Sequence, residues 1–220
     1  MSAQPVHQNF GPQSAPGSPM SLVYSEAEYL AFDEKAEGRW EFIDGRIVPV
    51  GAPELANQLD PTFRAGATPN HYRLSRTLSG LFYNRLRKGC EAYTADARTY
   101  TPISKTYSYP DLVAVCGPAT YHDPDAAIPS LTNPVLIVEI ISDETGEYDR
   151  TGKFMRYRSI ESLKQYLLVD SRRMQVDLFT RLPNQTWSYW PGTQPEHVVD
   201  LHSVGCQVTL EEIYANVSIS

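Results

Sequence analysis

One acid in an otherwise apolar strand restricts this chain more than any other feature. Val135-Leu-Ile-Val-Glu-Ile-Ile141 is apolar on both alternating faces except at Glu139, the pattern of a central strand covered on both sides. A carboxylate in such a place must be protonated, paired or bound to a metal. Glu139 is therefore either a satisfied structural acid or part of a site. A basic helical segment follows at once, with Arg150, Lys153, Arg156 and Arg158 between Tyr148 and Arg158.

The rest of the chain reads as one domain built around that strand. Residues 1–20 are rich in Pro, Gln, Ser and Gly without periodicity and predict a disordered tail, and residues 21–215 a single domain. Ser25-Glu-Ala-Glu28 has capping-box form and opens a short helix to about Glu34. Arg39 to Ile43 and Arg46 to Val50 flank Asp44-Gly45, a dipeptide that supplies the positive φ angles of a tight hairpin turn. Gly51 to Pro69 reads as a long loop, a candidate flap over a site. Leu74, Leu78, Leu81, Phe82 and Leu86 recur at helical spacing, with Gly89 as the stop.

Ala92 to Ile103 and Tyr109 to Cys116 alternate about a polar turn at Ser104 to Ser108 and predict a second hairpin; Pro118 to Thr132 reads as a loop. Gln165 to Asp170 is another buried strand, and Met174 to Thr180 pairs with Thr186 to Trp190 about Pro183-Asn184. Leu210 to Tyr214 is a closing helical turn. Helix, hairpins, buried strand, helix and buried strand in this order predict an α/β domain with a mixed sheet.

The net charge of −7 argues against a protein that coats nucleic acid through bulk charge. Its distribution is uneven. No acid lies between Asn70 and Cys90, where Arg73, Arg76, Arg85, Arg87 and Lys88 fall, while Glu26 to Asp44 holds seven acids. No apolar run approaches the ~18 residues that span a bilayer, so a cytoplasmic location with no membrane partner is the expectation. Cys90, Cys116 and Cys206 show no Cys-x-x-Cys spacing and are expected to be reduced.

Three acids fall at or beside strands: Glu41, Asp111 after Pro110, and Glu139. Hard divalent cations take oxygen ligands from one or a few carboxylates, and such a set suits a phosphodiesterase. Lys153, 14 positions after Glu139, is placed to orient a water or offset charge on a phosphate if its helix crosses the strand end. Each residue also has a plainer reading. Asp111 could bond to a turn, Glu41 could face solvent, and Asp149 and Lys153 could be an ordinary surface pair worth ~0.3–0.5 kcal/mol. His71 could contact phosphate, but its plainer role is to cap the basic helix.

Glu41-Phe-Ile-Asp-Gly45, His71 at the opening of a helix, Tyr109-Pro-Asp-Leu-Val-Ala-Val115, Pro134 to Ser142, Asp149-Arg-x-x-Lys-Phe154 with Tyr157, and Tyr166-Leu-Leu-Val-Asp170 together resemble the Uma-two family of the PD-(D/E)XK nuclease superfamily. The resemblance covers about residues 22–180 and implies a restriction-endonuclease-like mixed β-sheet flanked by helices, with additional β-hairpins. It implies that Asp111 and Glu139 bind the metal, Mg²⁺ or Mn²⁺. The superfamily lysine two residues after the second acid is Ile141 here. The resemblance places that lysine on the next helix, at Lys153, with Glu41 as an additional acid; Ser142-Asp-Glu-Thr145 stands where the family has Ser-Pro-Ser-Thr. The catalytic set is then Glu41, Asp111, Glu139 and Lys153, and the nucleic-acid contacts are His71, Arg73, Arg76, Arg150 and Tyr157. The implied activity is endonucleolytic hydrolysis of DNA, with a homodimer expected by analogy. The competing expectation is an inactive nuclease fold that binds DNA or a protein.

Overall fold

A computed structural model describes residues 23–50, 68–141 and 152–219. The expected tail, nearly all of the 51–69 loop, and Ser142 to Arg150 lie outside the described residues. The first described helix, α1 (Glu26–Asp33), starts where the capping box requires: Ser25 accepts from the Glu28 N–H and Glu28 reaches back to the Ser25 N–H at 2.7 Å. Next comes the hairpin of β1 (Trp40–Ile43) and β2 (Arg46–Pro49), whose turn has φ of 51° at Asp44 and 76° at Gly45. A Cβ on Gly45 would also stand 2.5 Å from Val23 Cγ1, so backbone conformation and close approach both select glycine there.

Thr68 caps α2 (Pro69–Arg85), its hydroxyl accepting from the His71 N–H at 3.3 Å. The cap is thus Thr68 rather than His71, with Pro69 at the first helical position where a missing N–H costs nothing. Leu74, Leu78 and Phe82 turn inward at one-turn intervals and are fully buried.

The region after α2 differs from the expected hairpin. It forms β3 (Cys90–Thr94), β4 (Thr99–Thr101), β5 (Thr106–Ser108) and β6 (Leu112–Cys116). β4 and β5 make the tight hairpin, while β3 pairs antiparallel with β6 in another sheet. The expected turn at Ser104 to Ser108 is in part strand: the chain reverses before Thr106, and Lys105 carries a positive φ. The stretch read as a loop contains two short strands, β7 (Tyr121–His122) and β8 (Ser130–Leu131). Short bridging strands carry no periodicity of their own, because two residues cannot show an alternation.

The remaining elements are β9 (Leu136–Ile141), α3 (Phe154–Tyr157), β10 (Gln165–Asp170), β11 (Val176–Arg181), β12 (Trp187–Gly192), the ribbon β13 (Val198–Leu201) and β14 (Cys206–Thr209), and α4 (Leu210–Tyr214). One six-stranded sheet runs β12-β11-β10-β9-β6-β3, the other β2-β1-β5-β4-β8-β7. β9 pairs parallel with β10 and antiparallel with β6, the mixed sheet expected from the element order. Every residue of β9 is buried. Leu136, Val138 and Ile140 pack on the side of α2, with Leu74, Leu78 and Phe82. Ile137 and Ile141 pack on the other side with Tyr157 and Tyr166, so alternation puts Glu139 on that face, under α3.

The cysteine expectation is corrected. Cys90 and Cys116 are directly opposed on β3 and β6 and form a disulfide, while Cys206 is free and buried. Strand pairing brings together two thiols that sequence spacing left 26 residues apart.

Candidate active site

The site is assembled by both sheets at one end of β9. Lys153 immediately precedes α3, and Tyr157 lies one helical turn later, so the two side chains share a face. Both reach the same oxygen: Lys153 Nζ is 3.1 Å and Tyr157 OH 3.0 Å from Glu139 Oε1. Burial, then the Glu139 carboxylate, push the Tyr157 hydroxyl well above its ordinary range, so it stays protonated and donates. An ionised carboxylate only accepts, so the phenolic proton serves Glu139, and the Ser108 hydroxyl, 3.0 Å away, donates to the phenol oxygen.

Glu41 enters from β1. It is buried rather than on an exposed hairpin edge; Oε1 accepts from the Tyr109 N–H at 3.0 Å and lies 3.8 Å from Lys153 Nζ. β1 is held against β5 through Phe42 and Tyr107, which puts Ser108 and the Tyr109 N–H beside Glu41. Asp111 stands between that hairpin and β6. Its Oδ2 accepts from the Ile140 N–H at 2.7 Å, which ties the first acid to the residue after the second. Its Oδ1 faces His71 Nε2 at 3.1 Å.

Side-chain exposure rises from 4% at Glu139 and 5% at Glu41 to 12% at Lys153, 16% at Asp111 and 21% at His71. The cluster therefore opens to solvent on the Asp111–His71 side, next to the start of α2. Tyr157, expected to contact nucleic acid, is instead buried beneath the acids and acts on Glu139 from below. Arg73 and Arg76 are exposed on α2. Arg150 lies outside the described residues.

Ser108, the Tyr109 N–H and the Ile140 N–H escaped the sequence reading. Hydroxyl and backbone donors leave no pattern until a strand is placed against them. The partnership of Tyr157 with Glu139 was legible in principle, because Lys153 and Tyr157 are four apart on one helix.

Among the described residues no three His, Cys, Asp or Glu side chains converge as a ready-made metal cage. Mg²⁺ does not need one, since it keeps several waters and is held by one or two carboxylates. Asp111 and Glu139 offer hard oxygen donors, with the Asp111 carboxylate bound to the N–H of the residue that follows Glu139, and that donor chemistry fits such an ion.

Known proteins give the arrangement a context. Two uncharacterised proteins of Synechocystis sp. are similar in sequence: slr1290 is 30% identical over 91% of this chain and 95% of its own length, and sll1609 is 31% identical over 75% and 85%. A crystal structure from Anabaena variabilis, described as "a putative nuclease belonging to DUF820", superposes with a TM-score of 0.62 at 13% identity. That match covers 85% of this chain and 97% of the other, and it shows a shared restriction-endonuclease-like fold. The Uma2 family model, described as "Putative restriction endonuclease", matches residues 26–211. With the model spanning most of the described chain and a relative aligned almost end to end, this protein belongs to the Uma2 family.

Proposed function

We propose that the chain is a divalent-metal-dependent endonuclease that hydrolyses DNA phosphodiester bonds at the Asp111–Glu139–Lys153 cluster. One observation carries this reading. Glu139, buried in the central strand, is met at 3.1 Å by a lysine from the following helix, although the position two residues on is Ile141. A structural acid needs a partner; it does not need one that also lies 3.8 Å from a second buried acid.

Asp111 and Glu139 would hold Mg²⁺ or Mn²⁺, which when bound supplies Lewis-acid charge at the phosphoryl group. Lys153 orients the attacking water and offsets charge developing on the phosphate oxygens. Glu41 and Tyr157 fix the lysine and the second acid from two sides, which keeps both within reach of one phosphate. His71 orients Asp111 at the open edge, and Arg73 and Arg76 meet the DNA backbone. Pairing of two copies, which would present two such sites to a duplex, is part of the reading and is checked by sedimentation.

The test is a nicking and cleavage assay on supercoiled plasmid and single-stranded DNA with and without Mn²⁺. Wild type should cut only with the metal, and Asp111→Ala and Lys153→Ala should each lower the rate by at least two orders of magnitude. Cutting that survives both substitutions refutes the mechanism. A second reading, an inactive nuclease fold that binds DNA or a protein, draws on Ile141 at the position of the superfamily's usual lysine. Calorimetry separates the two: the nuclease gives Mn²⁺ heat that Asp111→Ala abolishes, the inactive fold gives none.

A further inference from the structure

The outer face of α2 is unusual for a helix that packs on a sheet. Tyr72 is 58% exposed and Tyr83 90% exposed, and Arg76 lies between them. At 100° per residue these three fall within an arc of about 40°, opposite the buried Leu74, Leu78 and Phe82. No acid occurs anywhere from Pro69 to Cys90, so nothing on this helix neutralises the stripe. Arg85, the basic residue of the last turn, points elsewhere and is engaged by Glu212 at 2.6 Å.

Gly80 sits on the same side between Arg76 and Tyr83. A Cβ there would meet nothing within 4 Å, so packing gives no reason for glycine. Mid-helix glycine costs about 0.5–1 kcal/mol relative to alanine. A bare backbone flanked by an arginine and an exposed tyrosine is what close approach of a ligand to the helix requires.

We propose that the Tyr72–Arg76–Gly80–Tyr83 stripe is a docking surface for single-stranded DNA, with the two tyrosines stacking on unpaired bases and Arg76 on the backbone between them. The stripe rejects a second copy of itself, since it would set arginine against arginine. It suits a single strand better than a duplex, because stacked bases in a duplex hide the faces that exposed tyrosines would meet. Tyr72 and Tyr83 are about 16 Å apart along the axis, room for about five stacked nucleotides. The stripe ends beside His71, whose ring is edge-on to Tyr72 at 6.5 Å and whose Nε2 lies 3.1 Å from Asp111 Oδ1 on the open side of the acid cluster. A strand held on α2 would therefore reach the site over the helix N-terminus. This inference rests on the nuclease reading for its biological sense and narrows that substrate to DNA with an unpaired stretch.

The experiment is equilibrium binding of the full chain to fluorescein-labelled oligo-dT and to a hairpin duplex of equal length, by anisotropy in EDTA, where no cleavage intervenes. Tyr72→Ala and Tyr83→Ala should each weaken oligo-dT binding by about 5- to 100-fold and leave the duplex nearly unaffected. Tyr72→Phe and Tyr83→Phe should restore it, since phenylalanine stacks without the hydroxyl. Arg76→Ala should lower the salt dependence of oligo-dT binding by about 0.7 in log–log slope. Alanine variants that bind oligo-dT like wild type, or that lose duplex and single strand equally, overturn the proposal. So does a change in sedimentation on Tyr83→Ala, which would make the stripe an interface between copies. Failure of the nuclease reading shows differently, as metal-independent or absent cleavage with oligo-dT binding intact.

Discussion

Tyr157→Phe is the sharpest probe of how the acid cluster is held. The substitution keeps the ring against Tyr166 and removes one oxygen. That oxygen is buried, donates to Glu139 at 3.0 Å and receives the Ser108 hydroxyl at 3.0 Å. A hydrogen bond to a charged group contributes about 1.5–3 kcal/mol, and the stranded Ser108 hydroxyl adds a smaller penalty. The expected loss is about 2–3 kcal/mol, which for a domain of this size lowers the melting temperature by roughly 5–10 °C. Urea unfolding followed by tryptophan fluorescence measures it directly. The control is a double-mutant cycle with Glu139→Gln, which should recover at least about 1 kcal/mol of coupling, because the tyrosine matters through the carboxylate. A loss below about 0.5 kcal/mol, or zero coupling, refutes the assignment of Tyr157 as the donor that satisfies Glu139.

Two further outcomes follow from groups outside the cluster. Burial alone would raise the Asp170 carboxyl, but the Arg172 side chain and N–H, with Arg173, outweigh it and hold the group below its ordinary value. A depressed carboxylate stabilises above its unfolded pKa and loses that contribution as pH falls through the folded value, so Arg172→Ala should move the acid-unfolding midpoint to higher pH; an unchanged midpoint would count against this pairing. Closing the 26-residue separation between Cys90 and Cys116 is worth about 3.5 kcal/mol by loop entropy, so dithiothreitol should lower thermal stability and Cys90→Ser/Cys116→Ser should abolish that sensitivity. Equal melting with and without reductant would contradict it.

Local signals in the chain were readable where one stretch of residues decides its own conformation. The capping box at Ser25 and Glu28, the Asp44-Gly45 turn, the Leu74/Leu78/Phe82 stripe and the buried run of β9 depend on neighbours within about two turns or one strand, and all four are present as expected. The hairpin misread between Ala92 and Cys116 has the opposite cause. Alternation says that a segment is extended, yet it does not name the partner, and here β3 leaves β4 to pair with β6. Cys90 and Cys116 were misread for the same reason: each is bonded to a residue on another strand.

By itself, then, the sequence determined that an acid would be buried in a central strand, that a basic helix would follow it, and which residue types were on hand to answer it. Only the tertiary structure decided that Lys153 and Tyr157 converge on one oxygen of Glu139, that Glu41 is buried beside them, and that Asp111 is bound to the Ile140 N–H with His71 at its open side. The physical reason is range. Helix periodicity, caps and turns are fixed by a few neighbouring dihedral angles, whereas the position of a carboxylate relative to a lysine 14 residues on, or to an acid in another sheet, is set by strand register and by which faces the whole core buries.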